Sequence, residues 1–247
     1  MYGAAYPARG VAPRRVRELA GRSGPAGALA VAGLCLLGLA LVWVVAQLVP
    51  AAHVRDAAAL RDFTLLGRPR LDELCELLLH LLDPLLFVIW GVGLVLLALA
   101  RGQARVAVAV VAIMALAPWT TETLKPLVAH QHDVVGGVYI GPASWPSGHA
   151  TAALALVLSA VLVAPARLRA PVAGVGALFA LAVGCSLLIL AWHMPSDVLG
   201  GYLVASLWTA LAVAALRAAE RRWPVSRSDA RRDPTTAPAP DPRWRRG

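Results

Sequence analysis

Asparagine is absent from this 247-residue sequence, lysine occurs only at Lys125, and only 15% of the residues are charged. Soluble domains have about 25% charged residues, so this chain has too few to cover a water-facing surface. Hydrophobic residues make up 59% of the sequence and the mean hydropathy is +0.67. The central part of the chain therefore belongs in lipid.

Cysteine is also scarce. Cys35, Cys75 and Cys185 fall in or beside apolar runs, with no metal-ligand spacing, so we interpret them as small buried hydrophobic residues. The net charge is +9, but the arginines cluster at the ends of apolar runs and form no basic stripe interleaved with aromatic residues. This pattern argues against a nucleic-acid partner and is better explained by membrane topology.

Six apolar stretches come close to the roughly 20 residues that a membrane-spanning helix needs. They cover residues 27–49, 80–100, 105–123, 148–166, 171–191 and 198–217. The first is too long for the apolar region of a signal peptide. The sequence predicts an all-α, polytopic membrane helical bundle of six transmembrane helices at 26–218. Disordered basic tails are expected at 1–25 and 219–247.

The arginines predict the orientation of this bundle. The two tails and the junctions that hold Arg101, Arg105, Arg167 and Arg169 fall on one side of a six-span chain, and the positive-inside rule makes that side the cytoplasm. The opposite side receives residues 51–79, 124–147 and 192–197. Residues 51–79 mix arginines and acids with leucines and alanines, which predicts an amphipathic stretch in the headgroup zone.

The outer segments concentrate unusual residues. They hold the single lysine, Lys125, and four of the six histidines, His130, His132, His149 and His193. Ionisable groups at membrane depth are costly, so such a cluster indicates a functional site. For any one residue, an interfacial anchor or ordinary helix punctuation explains the position equally well. The whole group on one face favours function.

Residues Pro146-Ser147-Gly148 open the fourth predicted span. The free backbone N–H groups at such a helix start, together with the positive end of its dipole, form an anion site. Gly148 allows an oxygen to approach the backbone closely, and the Ser147 hydroxyl can add a hydrogen bond. His149 would lie at the mouth of this site.

His193 and Asp197 are four residues apart, so on a helical turn they share a face. A carboxylate in this position can hold one imidazole nitrogen protonated and leave the other free to attack. Asp197 also precedes the sixth predicted span, where a carboxylate suits the helix N-terminus. The pair is therefore a candidate nucleophile with its orienting acid.

These residues resemble the motifs of the type 2 phosphatidic acid phosphatase superfamily, whose site is shared with vanadium haloperoxidases. The family motif P-S-G-H is complete at residues 146–149. The motif S-R-x5-H-x3-D keeps Ser186, His193 and Asp197, and the motif K-x6-R-P keeps Lys125. The motifs occur in order over residues 125–197, within a chain whose predicted layout also matches the family.

The resemblance implies a mechanism. His193 would attack phosphorus to form a phosphohistidine while Asp197 orients its ring. His149 would protonate the leaving oxygen and later activate water. The arginine distribution puts these motifs on the extracytoplasmic face of a bacterial plasma membrane, with both chain termini in the cytoplasm. The scarcity of Asn and Lys beside abundant Ala, Arg, Gly and Pro is also typical of a GC-rich bacterial genome.

The same resemblance assigns phosphate binding to Lys125, Ser147 and the Gly148 N–H. It implies no metal and no cofactor. The partners would be membrane lipids and a lipid phosphate substrate, such as a polyprenyl diphosphate, phosphatidate, phosphatidylglycerol phosphate or a polyprenyl-linked sugar phosphate. The sequence does not choose among these substrates and predicts no oligomeric state.

The sequence departs from the family at two arginines. The arginine of the first motif falls on His132 and its proline on Asp133, while the arginine of the third motif falls on Leu187. Two guanidinium groups that would clamp phosphate are therefore missing. We expect His132, helped by His130, to bind phosphate as an imidazolium. The alternative is that both are solvated loop residues.

These departures leave two alternative functions open. A non-hydrolytic relative that binds or transports lipid phosphates, or serves as an assembly partner, would not need the clamp. A phosphotransferase would use the same phosphohistidine, with an alcohol replacing water as the acceptor.

Overall fold

The computed structural model describes residues 24–129 and 140–223. Within them 84% of residues are helical and no strand occurs. The helices are α1 (Pro25–Leu48), α2 (Pro50–Thr64), α3 (Pro69–His80), α4 (Pro84–Ala100), α5 (Ala104–Leu127), α6 (Gly148–Val163), α7 (Arg169–Ile189) and α8 (Pro195–Arg222), with a 3-10 turn at Ala166–Leu168. The expected all-α class is confirmed. Most of both predicted tails lies outside the described residues.

Proline marks the start of five helices. It is the first residue of α1, α2, α3, α4 and α8. At this position the missing N–H costs no hydrogen bond, and the fixed φ angle already suits a helix. Proline therefore marks helix starts in a sequence that is otherwise largely apolar.

Each of the six predicted spans corresponds to one helix, namely α1 and α4 to α8. By length and apolarity, four segments qualify as membrane spans: α1, α5, α8, and α7 taken with the 3-10 turn before it. The α3 and α4 helices, bent by 53°, give a fifth if they form one span. Helix α6 has 16 residues, about 24 Å at 1.5 Å per residue. The structure therefore supports four or five spans, and the sixth stays a prediction.

Large apolar side chains cover the outside of the bundle. Leu34, Leu85, Val108, Val175 and Leu178 are each between 67% and 73% exposed. A protein in water rarely leaves so continuous an apolar surface uncovered. The chain is therefore a membrane protein, and these side chains face lipid.

Helix α6 lies at the centre of the bundle, against α4, α5, α7 and α8. Its inward side is built from small residues, including the fully buried Ala150, Ala153 and Ala155, as expected where membrane helices approach closely. The start of α6 lies very close to α8, because a Cβ added to Gly201 would lie 2.5 Å from the Ser147 carbonyl oxygen. The starts of α6 and α8 therefore meet backbone to backbone.

The predicted amphipathic segment 51–79 forms α2 and α3, which pack against α7. Leu60 and Leu79 point inward and are almost completely buried, whereas Arg55 and Arg61 are exposed. Cys35 and Cys75 are buried as expected. Cys185, on α7, is exposed, so the expectation of burial was wrong there.

Candidate active site

The candidate site lies at the end of the bundle where α5 and α7 finish and α6 and α8 begin. A cavity of about 820 Å³ opens there. Its polar wall consists of Glu122, Lys125, Gly148, His149 and His193. Its apolar wall consists of Leu82, Pro84, Phe87, Val88, Met114, Pro118, Ala152 and Trp192. The helix ends therefore bring residues of all three predicted motifs to one cavity: Lys125 of the first, Gly148 and His149 of the second, and His193 of the third.

Ser147 is the N-cap of α6, and its Oγ accepts a hydrogen bond from the Ala150 N–H at 3.4 Å. The side chain is completely buried and does not line the cavity. The Ser147 N–H donates to the Asp197 carbonyl at 2.9 Å. In the first turn of α6, the N–H groups of Gly148 and His149 have no preceding helix carbonyl to bond, which leaves them for an anion.

His193 and Asp197 are in contact. Nδ1 of His193 lies 3.3 Å from Oδ2 of Asp197, and the side chains are only 13% and 1% exposed. The same oxygen accepts the Met194 N–H at 2.9 Å, so the carboxylate caps α8 as well as holding the imidazole. His193 itself precedes α8, which begins at Pro195. A loop, rather than the expected helical turn, brings the pair together.

His149 occupies the first turn of α6 and is half-buried. Its ring stands edge-on to that of Trp192, with 5.8 Å between the ring centroids. His193, Lys125 and Asp83 lie close enough to interact with it electrostatically. His149 therefore shares the cavity with the His193–Asp197 pair, as a proton donor and acceptor there would require.

Lys125 is located in the last turn of α5, and its Nζ donates to Oε1 of Glu122 at 2.7 Å. A Cβ on Gly148 would lie 3.6 Å from this Nζ and 3.1 Å from the Glu122 oxygen. The lysine is thus positioned over the start of α6. Glu122 was not identified from the sequence, although its spacing of three residues from Lys125 on a predicted helix indicates a contact between them.

A buried hydroxyl pair attaches α6 to its neighbours. Thr121 and Thr151 join through their Oγ1 atoms at 3.0 Å, and Thr151 donates to the Ser147 carbonyl at 2.8 Å and to that of Gly201 at 3.2 Å. Both threonines are completely buried. This network fixes the start of α6 against α5 and α8, and neither threonine was identified from the sequence.

Of the two positions that lack the family arginine, Leu187 lies within the described residues and His132 does not. Leu187 is completely buried in the hydrophobic core, so it offers the site nothing. The neighbouring Ser186 turns inward and donates to the Ala182 carbonyl at 2.9 Å. His130 and His132 lie outside the described residues. Within residues 24–129 and 140–223, no group of three or more His, Cys, Asp or Glu side chains is placed to hold a metal ion.

A crystal structure of a transmembrane PAP2-type phosphatidylglycerolphosphate phosphatase from Bacillus subtilis is similar to this fold. It superimposes with a TM-score of 0.61 and 20% identity, covering 77% of this chain and 98% of that one. At this identity the likeness shows the fold alone. No curated protein sequence matches the chain. The sequence profile of the PAP2 superfamily matches residues 95–221, more than half of the chain, and the chain therefore belongs to the PAP2 superfamily.

Proposed function

We propose that the protein hydrolyses lipid phosphates through a phosphohistidine, at the extracytoplasmic face of the membrane and without a metal. One observation carries the proposal: His193 is held by a buried carboxylate while His149 stands in the same cavity, beside Lys125 and the start of α6. The family membership supports phosphatase chemistry. The location of the cavity within a membrane bundle supports a lipid substrate.

The reaction would proceed in two displacements. Nε2 of His193 attacks phosphorus, the P–O bond to the lipid breaks, and His149 gives its proton to the leaving oxygen. A water molecule then attacks the phosphohistidine, returns a proton to His149 and releases phosphate, so that both histidines regain their starting states. Lys125 and the N–H groups at the start of α6 bind the phosphoryl oxygens, where negative charge accumulates.

The apolar wall of the cavity supports a lipid rather than a soluble ester. Phe87, Val88 and Met114 also line a second cleft of about 350 Å³ between α4 and α5. This cleft adjoins the site, with which it shares these three side chains, and it is lined by apolar residues. A substrate whose phosphate lies at His193 would therefore place its hydrocarbon chain in this cleft.

The arginines support the proposed orientation. Arg101, Arg105, Arg167, Arg169 and Arg217 lie at the end of the bundle opposite the cavity, where α4 and α6 end and α5 and α7 begin. Arginine-rich connections favour the cytoplasm. The cavity would then open on the extracytoplasmic side.

A panel of lipid phosphates tests the reaction. Purified protein is assayed for phosphate release from phosphatidylglycerol phosphate, phosphatidate, a polyprenyl diphosphate and a polyprenyl-linked sugar phosphate. Phosphatidylglycerol phosphate is included because the similar crystal structure is that of a phosphatase named for it. We expect His193→Gln to lower kcat by at least about 10⁴-fold while the protein remains folded. Equal activity of the variant would exclude His193 as the nucleophile.

A lipid-phosphate-binding protein without hydrolysis is the second candidate. It is favoured by the burial of Leu187 and by the ion pair that ties up Lys125 with Glu122, because both weaken the hold on a transition state. Binding of the same lipids without phosphate release by the wild-type protein would support it. Transfer of phosphate to an added alcohol would instead identify a phosphotransferase.

A further inference from the structure

One carboxylate reaches the active-site loop from outside the part of the chain that the family profile matches. Asp56, on α2, accepts the Ser196 Oγ–H at 2.6 Å through Oδ2 and the Ser196 N–H at 3.2 Å through Oδ1. Ser196 is buried and Asp56 is half-buried, and 140 positions separate them in the sequence. Asp56 therefore connects the amphipathic segment to the start of α8.

The position of Ser196 gives this contact its importance. It lies between His193 and Asp197, in the first turn of α8. Asp197 on one side of the turn binds the Met194 N–H and the His193 ring, and its carbonyl accepts the Ser147 N–H. A shift of Ser196 would therefore move the imidazole and the start of α6 together.

Asp56 does not border the active-site cavity. It lines a separate groove of about 710 Å³ between α1, α2 and the start of α8. A group in this place cannot contact a phosphate at His193, and it can act on the reaction only through the loop that it binds.

We propose that Asp56 is a positioning residue, which holds the His193–Asp197 pair in its reactive geometry through the two hydrogen bonds to Ser196. This inference rests on the proposed phosphatase function. It adds to that function a part of the chain, α2, that none of the three family motifs includes. The alignment of His193 then depends on Asp56, a side chain of a different helix.

The test is a double-mutant cycle on the purified protein in detergent. Asp56→Ala removes both hydrogen bonds, Ser196→Ala removes one from the other side, and Asp56→Asn keeps an acceptor without the charge. We expect Asp56→Ala to lower kcat by about 10- to 100-fold, as a displaced nucleophile would, and to change KM by less than about threefold. The double variant should be no worse than the more affected single variant, and Asp56→Asn should recover part of the loss. Asp62→Ala, an exposed acid on the same helix, is the matched control.

A readout that needs no turnover separates this inference from the proposed function. Diethyl pyrocarbonate modification, followed by mass spectrometry, gives the reaction rate of His193 relative to that of His149 in the same cavity. Asp56→Ala should change this ratio, and Asp62→Ala should not. An unchanged ratio, additive losses in the cycle, or wild-type kcat in Asp56→Ala would overturn the positioning role. A wild-type protein that releases no phosphate while the ratio still responds would overturn the phosphatase and leave the positioning standing.

Discussion

Two polar pairs at the cavity are built differently. His193 and Asp197 are 13% and 1% exposed and are fixed by backbone and side-chain hydrogen bonds. Lys125 and Glu122, on α5, are 23% and 62% exposed and are bonded to each other. Burial strengthens electrostatic interactions, whereas water screens them. The fixed geometry of the His193–Asp197 pair should therefore matter most there, whereas the Lys125–Glu122 pair should act mainly through its charges.

After the loss of His193 itself, the largest effect should come from the buried carboxylate. Asp197→Asn replaces an acceptor of the Met194 N–H and of His193 with an amide that favours the wrong imidazole tautomer. We expect kcat to fall by about 10²- to 10⁴-fold, measured as phosphate release from the best lipid of the panel. Asp62→Asn replaces an exposed acid on α2, outside the cavity lining, and is the control. An equal loss of kcat there would contradict the importance of the buried carboxylate.

The next effect should come from the helix contact behind the histidines. Gly201→Ala would place a Cβ 2.5 Å from the Ser147 carbonyl and 3.0 Å from the Ala150 Cβ, so α6 and α8 must move apart. Overpacking of this kind costs about 1–3 kcal/mol, and we expect a lower Tm and a kcat reduced by about 10- to 100-fold. Gly174→Ala on α7, where nothing lies within 4 Å, should change neither. Wild-type behaviour of Gly201→Ala would show that this spacing is not critical.

A smaller effect should arise at the Lys125–Glu122 pair. Glu122→Gln removes the negative charge beside Lys125, so inorganic phosphate should bind more tightly, and its inhibition constant should fall by about two- to fivefold, the range of an exposed ion pair. Raising the salt concentration should reduce this difference. Glu76→Gln, an exposed acid on α3, should leave the constant unchanged. A weaker phosphate affinity in Glu122→Gln would mean that the acid orients the lysine productively.

The smallest effect concerns the pH dependence of stability. Burial raises the pKa of the Asp56 carboxyl above its ordinary 3.8, against the hydrogen bond from the Ser196 side chain, and the nearby Asp197 raises it further. The folded protein then binds this proton more tightly than the unfolded chain, so the contribution to stability is complete below pH 3.8 and is lost as pH rises through the folded pKa. As the pH rises from 3.8 through the folded pKa of Asp56, the wild-type Tm should therefore fall relative to that of Asp56→Asn, by a few degrees at most. A difference that does not vary with pH would argue against the raised pKa.

The sequence predicted the features that depend on residues near one another along the chain. Each of the six long apolar stretches predicted from the sequence forms a helix. The motif spacing identified Lys125, His149 and His193, which line one cavity. Helix limits were less accurate, because α8 begins three residues before the predicted 198 and continues to Arg222. The number of spans also remained open, since a helix of 16 residues and a 53° bend cannot be read from composition.

Contacts between distant segments could not be predicted in this way. Asp56 is one of several acids in a mixed segment, and nothing in its neighbours indicates that it meets Ser196, 140 positions away. The Ser147 hydroxyl caps its own helix and is completely buried, a structural role that the sequence did not indicate. Its contact with phosphate stays a prediction. The role of His132 stays a prediction, as it lies outside the described residues.

The hydrogen bond from the Ser147 N–H to the Asp197 carbonyl has a practical consequence. It joins the two reactive segments through main-chain atoms, so replacing an imidazole leaves the spacing of the segments unchanged. A His193→Gln protein should therefore keep a receptive pocket while being unable to turn its ligand over. Such an inert form is suited to trapping whichever lipid the cell supplies, and mass spectrometry of the co-purified molecule would then identify the natural substrate.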